Sequence, residues 1–593
     1  MKKNLFTLLI TLVIPIFALA QWSNTPNHNT MIADTIGSQV VPIVVTNSLG
    51  ETYISWYSEF EDLNYDVYLQ KMDKNGMKLW DEEGLLISDH ETNTWVTTYD
   101  MILDQNENVI LVTQDMRTGN SDVFAYKISP SGEFLWGDNG IQLSNTTGFD
   151  PSPQVTVTNN NDLIFLWGEE LIDTTQNTIL FVTRYSPDGN KLWETNLSDT
   201  LDFMLPQMVY TNDNLIVSWI TKIHQKDTIP GEEDWMHVFA QMLNSEGIPV
   251  WEHNVQIDSL DLMNYESLYT TPYLTSDGNG GAYVMWESFF IVETGGMPTT
   301  YINRLYEDGT VWKPGGYSVS QFTGNYHAEA QMVFLEDVEK LMVCWQEYHY
   351  DHANQIDCWG VYGQLFDADG GYLWDANGLE IIPLICSMDT SYSGISLGQS
   401  MNNNVVLMYQ KDYFSIDGSD TSLVTHIYAT SLDTDGDMIW SPPLVPLSVT
   451  SSNKYQAALG NLVDNQWVLA WNDNISNPNN YFDFGIYAQN ISVDGVLGPL
   501  SVPTLVKPDN ITIVASPNPA NNFVNIDYTL ISNGRVWIDL LDVNGRVLKQ
   551  YNDGKMTRGT YSQKIDISGL NPGMYIIKLQ VNSSHVYCKI IKN

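Results

Sequence analysis

Cysteine, basic charge and long apolar runs are all scarce in this chain. Four Cys in 593 residues, with no C-x-x-C among them, exclude a disulfide-built scaffold, a zinc ribbon and a thioredoxin-like redox centre. Only 26 Lys and Arg stand against 71 Asp and Glu, for a net charge of −45. Nucleic acids and anionic membrane surfaces are held by clustered cations, so both are excluded as partners. No H-E-x-x-H or phosphate-binding G-x-x-x-x-G-K-[ST] is present. Beyond residue 20 no stretch approaches 18 apolar residues, so no transmembrane segment is expected in the mature chain. What is plentiful is apolar content, at 43%, and aromatics, with 19 Trp, 32 Tyr and 19 Phe. That is enough to build large cores and excludes general disorder.

The first 20 residues read as an address. Lys2 and Lys3 precede an apolar run from Leu5 to Leu19, which closes on Ala18-Leu19-Ala20. A charged start, a short apolar centre and an A-x-A end form a secretory signal peptide over residues 1–20, with cleavage expected before Gln21.

The body repeats. Strand, Asp-Gly-type turn, apolar residue and Trp recur as MDKNGMKLW (72–80), ISPSGEFLW (128–136), YSPDGNKLW (185–193) and LNSEGIPVW (243–251). They continue as LYEDGTVW (305–312), FDADGGYLW (366–374) and LDTDGDMIW (432–440), and an eighth copy, ISVDGVLG (491–498), lacks the Trp. The turn glycines, from Gly76 to Gly495, are spaced 56–66 residues apart. An aromatic strand precedes each turn, and a buried-looking strand, often ending in Trp, precedes that. Each unit thus reads as four strands a-b-c-d with a tight c–d hairpin. Four-stranded units of this length predict an all-β fold: a propeller over residues 21–503, with eight blades or alternatively seven. Trp22 lies 58 residues before Trp80, inside the repeat period, so residues 22–33 are expected to supply the outer strand missing from the last blade. Fourteen of the 19 Trp fall at two repeated positions and are assigned to the core. Cys344 and Cys358 fall on adjacent predicted strands and are the expected pair, leaving Cys386 and Cys588 free.

The segment G-V-Y-x-x-x-x-D-A-D-G-x-x-L-W at 360–374 resembles the tryptophan-docking repeat of eight-bladed quinoprotein-type propellers. The resemblance implies the fold only. The quinone enzymes of that group use a vicinal disulfide, and this chain has no Cys-Cys pair, so no cofactor is expected.

Composition changes near residue 505. Residues 21–510 hold 15 basic and 66 acidic residues, whereas 511–593 hold 9 and 5. After a linker at 504–510, short alternating strands such as FVNIDYTL (523–530) and MYIIKLQV (574–581) predict a small Ig-like sandwich. This module resembles the type A C-terminal sorting domain of the type IX secretion system. The matching residues are Pro517, Asn518 and Pro519, then Gly545 and Arg546, then Gly569, Leu570, Gly573 and Tyr575, and finally Lys589 and Lys592. The resemblance implies passage through the periplasm and across the outer membrane. It also implies as partners the secretion machinery and its sorting peptidase, with a secreted or cell-surface destination.

Within the body, length variation falls on the b–c connections: 220–235, 346–359 and 410–422. Variable loops on a rigid scaffold carry recognition, so the b–c/d–a face is the expected working surface. Its candidate ligand-binding residues are Trp235, Trp359, Tyr348 and Tyr413. His349, Asp351 and His352 are candidate metal ligands. The Asp-rich turns at Asp367/Asp369 and Asp433/Asp435/Asp437 are candidate structural calcium sites. The expected role is a non-enzymatic binding or adhesion module for a surface polysaccharide, an environmental or host glycan, or a protein. A secreted polysaccharide- or peptide-active hydrolase or lyase, and an envelope assembly scaffold, remain the alternatives.

Overall fold

The computed structural model describes residues 21–499 and 511–592, except positions 36, 62–63, 93–98, 151, 171–177, 198–201, 224–234, 259–271, 293–294, 323, 400, 418–419, 479, 481–482, 531–533, 542–545 and 582–583. The expected signal peptide, the linker and Gly545 lie outside the described residues. The chain divides into two compact units, residues 1–499 and 500–593.

Among the described residues the first unit holds eight four-stranded antiparallel sheets. Their innermost strands are Gln39–Thr46, Asp100–Leu103, Gln154–Val157, Asp202–Thr211, Tyr273–Ser276, Tyr326–Leu335, Thr390–Gln399 and Lys454–Leu459. Each touches the next, and the eighth touches the first, so the sheets close into a circle. This is a β-propeller, and the sheets are its blades. In the eighth, Lys454–Leu459, Gln466–Asp473 and Gly485–Ser492 come from the end of the unit, while the outer strand is Thr30–Ala33 from its beginning. Thr30 pairs with Ala488 and Met31 with Tyr487. Residues before the first blade therefore complete the last one and cover the edge of Gly485–Ser492.

The repeated Trp explains how blades join. Each sits just after the c–d turn, mostly ahead of the outer strand rather than within it; only Trp193 lies inside one, Lys191–Leu197. Its ring docks on the c–d turn of the next blade. The indole N–H of Trp193 donates to Ser245 O (2.9 Å), that of Trp251 to Glu307 O (2.9 Å), that of Trp312 to Ala368 O (2.8 Å) and that of Trp440 to Val493 O (2.8 Å). Trp22 makes the same contact for the closing joint, with its indole on Lys74 O and its backbone N–H on Asn75 O. The turn glycine is required here twice over. Gly76 has φ +89°, and a Cβ there would stand 2.6 Å from the Trp22 ring.

Four of the body's cations reinforce the same kind of joint. Lys71 pairs with Glu51 (2.8 Å) in its own blade and donates to Pro130 O in the next. Lys127 repeats this with Asp104 and Pro187 O, Arg184 with Asp162 and Ser245 O, and Arg304 with Asp277 and Ala368 O.

The cysteine pairing differs from expectation. The disulfide joins Cys358 to Cys386, and Cys344 is a buried free thiol. Cys344 and Cys358 are on neighbouring strands, but Cys344 is registered with Gly363, well along the ladder from Cys358. Cys386 lies directly across from Cys358 because the outer strand, Leu379–Cys386, runs unusually far. The bridge closes a 28-residue separation, so replacing both cysteines by Ser is expected to cost about 3 kcal/mol. The check is a thermal midpoint that falls in the double variant and under reductant, but no further under reductant in the variant.

The second unit is a seven-stranded, two-sheet sandwich. Strands Ile511–Ser516, Phe523–Leu530 and Gly559–Asp566 form one sheet; Val547–Met556, Gly534–Leu541, Gly573–Val581 and Ser584–Lys592 form the other. Val524, Ile526, Ile538, Leu540, Ile577 and Leu579 alternate inward to a shared core. The fourth strand in sequence sits beside the third, not with the first, second and fifth.

Candidate functional site

In each blade the start of strand a, the end of b, the start of c and the end of d lie in register on one side, which is the b–c/d–a face. The segments read as long b–c loops in blades six and seven are instead strand. Lys340–Asp351 and Ile356–Phe366 run through the first, with only 352–355 as the turn. Val405–Asp417 and Asp420–Leu432 do the same in the second. Alternation of Tyr, Trp and polar residues along these stretches is a two-residue period and was the available signal for strand. Between Ile223 and Trp235 the connection lies outside the described residues, as does the side chain of Trp235, although Trp235 itself begins a strand.

The extended hairpins bring three candidate residues to one seam. In blade six, Tyr326, Tyr348, Trp359 and Ile385 form a row across all four strands. The Tyr348 and Trp359 rings are 4.4 Å apart, and the Tyr326 and Tyr348 rings 4.9 Å. Tyr348 donates its hydroxyl hydrogen to Asp357 Oδ1 at 2.7 Å. Trp359 packs, half-buried, against the cluster that joins blades six and seven. From the other wall, Tyr409, Lys411 and Tyr413 alternate along one strand, with Tyr409 in that same cluster. Lys411 Nζ lies 4.9 Å from the Tyr413 ring centre and 5.7 Å from that of Tyr392. His426 stands 5.0 Å from Tyr413. Burial, together with Lys454 and Lys411, lowers its pKa. The seam is therefore an aromatic strip that carries one cation, Lys411, and one carboxylate, Asp357, bound to the Tyr348 hydroxyl, set in an otherwise acidic body. Sequence reading missed Tyr326, Tyr392, Lys411 and His426, because the register that aligns them is not visible in one strand.

On the opposite face of the same sheet lies a buried polar group. His327 Nε2 is 3.5 Å from Glu347 Oε2, and Glu347 accepts from Trp345 Nε1 (2.7 Å) and Asn325 Nδ2 (2.5 Å). Burial lowers the His327 pKa to about 4 and raises that of Glu347 to about 7. The same place two residues after a b-strand Trp is taken by Asp473 after Trp471 and Thr221 after Trp219, each accepting the indole hydrogen. Glu347 thus serves as a Trp acceptor.

Inner strands share another feature. Val41, Leu205, Glu329 and Gln456 all have φ between +50° and +54° at a bulge near the strand's start. Gln456 Oε1 accepts the Val41 N–H at 3.1 Å, and Glu329 Oε2 accepts that of Gly394 at 2.8 Å, so side chains of one blade hold the strained backbone of the next.

Among the described residues no three His, Cys, Asp or Glu side chains gather as a metal site. Asp351 accepts from Ala353 N, Asn354 N and Asn354 Nδ2, which close the 352–355 turn, and His352 stacks edge-on with Tyr350. His349 sits opposite Cys358 in the ladder. In the Asp-rich turns, Asp367 Oδ1 accepts from Asp369 N and Gly371 N, and Asp433 Oδ1 from Asp435 N and Asp437 N. The hairpin itself uses these oxygens. One G-x-S-x-G occurs, Gly394 to Gly398, but it lies within strand Thr390–Gln399 rather than at a strand-to-helix elbow.

In the C-terminal unit Asn518 ties the start of the module to its last strand: its Nδ2 donates to Lys589 O and its Oδ1 accepts from Ile591 N, both at 2.8 Å. Pro517, Asn518, Pro519, Arg546, Gly569 and Gly573 are exposed, as is Lys589; Leu570 and Tyr575 pack against the core. Tyr575 donates to Asn571 O at 3.0 Å. Lys592 bridges to Ala520.

The fold defines a β-propeller protein with a terminal sandwich. Residues 515–593 match the secretion system C-terminal sorting domain. The chain is accordingly directed through type IX secretion to the cell surface or beyond it. No curated protein matches the chain in sequence. Among solved structures it is similar to the α-L-arabinanase of Penicillium chrysogenum, at 10% identity over 80% of this chain and 100% of that one, with a TM-score of 0.32. It is also similar to the α-L-arabinofuranosidase Arb93A of Fusarium graminearum (9% identity, 80% and 99% covered, TM-score 0.33). A third is the N11 neuraminidase-like protein of A/flat-faced bat/Peru/033/2010 (10% identity, 73% and 99% covered, TM-score 0.32). At this level of similarity they carry no activity over to this chain.

Proposed function

We propose that this protein is a secreted or cell-surface binding module whose propeller holds a glycan or protein along the seam between blades six and seven. The observation that carries the reading is the aromatic strip of Tyr326, Tyr348 and Trp359 facing Tyr413, Lys411 and His426. Exposed aromatic edges with adjacent hydrogen-bonding groups bind sugar rings and extended peptides alike. The acidic surround disfavours anionic ligands, so a neutral or cationic partner is expected. The test is a glycan and protein array with the exported chain, with and without calcium, followed by Trp359→Ala and Tyr413→Ala. A hit retained without turnover and weakened at least 10-fold in both variants is the expected result. Equal binding by wild type and variants would remove the seam from the reading, and degradation of the bound ligand would make the protein an enzyme.

A further inference from the structure

A second site lies away from that seam, between blades two and three. A cleft of about 390 Å³ is lined by Gln142, Ser144, Asn145 and Thr146 from blade two and by Trp167, Phe181, Tyr185, Lys191 and Glu194 from blade three. Its origin is legible in the repeat. In blades one, five and six the residue four places after the docking Trp is Gly84, Gly316 or Gly378. A Cβ there would stand 2.7–2.9 Å from the edge of the b-strand Trp, at Trp56, Trp286 and Trp345, so the chain lies directly against that ring. In blade three that place is Leu197, and the chain runs straight as strand Lys191–Leu197. The close Gly contact that covers the Trp in blades one, five and six is missing here, and the cleft opens beside Trp167 and Phe181.

The cleft has the parts of a ligand site. Phe181 lies flat on Trp167, with ring centres 5.5 Å apart and planes at 6°, and is half-exposed toward the cleft. Trp167 is 1% exposed, and its indole N–H has no hydrogen-bond partner among the described residues. Trp345 and Trp471 each donate to the carboxylate two residues on, but in blade three that residue, Glu169, is engaged by Thr146 and the Gly148 backbone. A buried N–H left unmet costs about 1–3 kcal/mol, so an acceptor supplied from outside is favoured here. Lys191 and Glu194, paired at 2.8 Å, put both charge signs at the rim and leave no net charge.

We infer that this cleft binds a neutral hydroxylated ring, one or two sugar residues in size. Its carbon face would lie on Phe181 and an oxygen would accept from Trp167. The inference does not depend on the seam between blades six and seven. The volume falls within the range of small-ligand pockets, and the aromatic floor with an uncharged polar wall suits a sugar rather than a phosphate or a carboxylic acid.

The experiment uses the full exported chain with ¹⁵N-labelled tryptophan. The Trp167 indole cross-peak is the one lost in Trp167→Phe. It is expected to shift saturably, at millimolar concentration, on adding glucose, galactose, mannose or arabinose, or their methyl glycosides, to the wild type. Phe181→Ala is expected to weaken that titration at least 10-fold, and Asn145→Trp, which fills the cleft from a side chain near its surface, to abolish it. Trp167→Phe keeps the stack and loses only the donor, so a several-fold weakening, followed by sugar-observed saturation transfer, reports the hydrogen bond apart from folding. No shift with any of these sugars in the wild type overturns the inference and makes the cleft a water-filled gap between blades. Unchanged affinity in both Trp167→Phe and Asn145→Trp overturns it equally.

Discussion

Trp22→Ala is expected to destabilise the propeller by about 3–5 kcal/mol, the cost of truncating a fully buried Trp, and deleting residues 21–34 to prevent stable closure altogether. Trp22 is 1% exposed, packs in the cluster shared by blades eight and one, and makes two hydrogen bonds to the first c–d turn. Seven joints of the ring are also crossed by continuous chain leading from one blade to the next. The eighth blade has no following blade in sequence, and its tie to the first is the strand Thr30–Ala33 that leads on into Gln39–Thr46. Losing it uncovers the edge of Gly485–Ser492 at Ile486–Ala488, in a strand buried along its length. Trp193→Ala is the control: the same residue type and docking contact, but half-buried and at an interior joint. The expected order of thermal midpoints is wild type, then Trp193→Ala, then Trp22→Ala, with the deletion aggregating on expression. A Trp22→Ala midpoint equal to that of Trp193→Ala would mean that closure adds nothing beyond an ordinary joint.

How far this was readable from the chain follows from what each feature depends on. The Asp-Gly turn and the Trp after it are local signals repeated with one period, so blade pattern and closing strand are both legible in the sequence. The disulfide was not, because pairing of Cys358 depends on how far the outer strand Leu379–Cys386 continues, and nothing local sets that length. The b–c segments misled for a related reason. Polar, aromatic stretches such as QEYHYDHANQ look like loops by composition, yet their two-residue alternation sustains strand once a partner strand runs beside them. Tyr348 and Trp359 are legible one by one as aromatics in a variable segment, but their contact and the facing Tyr413 wall come from cross-strand register and blade packing. The cleft of blade three goes with the absence of the Gly that blades one, two, five and six place four residues after their Trp; blades four, seven and eight lack it as well, so the cleft itself becomes visible only once the blades are packed.

The second large effect is on pH. The propeller is expected to be more stable near pH 6 than near pH 8, by about a few kcal/mol at the pKa displacements involved. Asp150, Glu287 and Glu347 are each raised to about 7, with burial the largest cause, and Asp100 to about 6. Above pH 7 each must hold an unfavourable buried charge in the folded state. Between the unfolded carboxylate range and pH 7 the folded state binds more protons than the unfolded one, so stability is gained as pH falls through that window. His327 acts oppositely. Its folded pKa near 4 lies below the ordinary histidine value, so stability is lost as pH falls from about 6.5 toward 4. The two trends place the optimum in mildly acidic solution. The net charge of −45 adds a repulsion that also relaxes on acidification, but salt screens it and does not screen buried groups to the same degree. Thermal midpoints at pH 5.5, 6.5 and 8, each in low salt and in about 0.5 M salt, separate the two. The expected result is a rise toward pH 6 that survives salt in the wild type and is largely flattened in the Asp150→Asn, Glu287→Gln, Glu347→Gln triple variant. A rise that vanishes in salt, or that persists undiminished in the triple variant, would assign the pH dependence to surface repulsion and leave these buried carboxylates without a part in it.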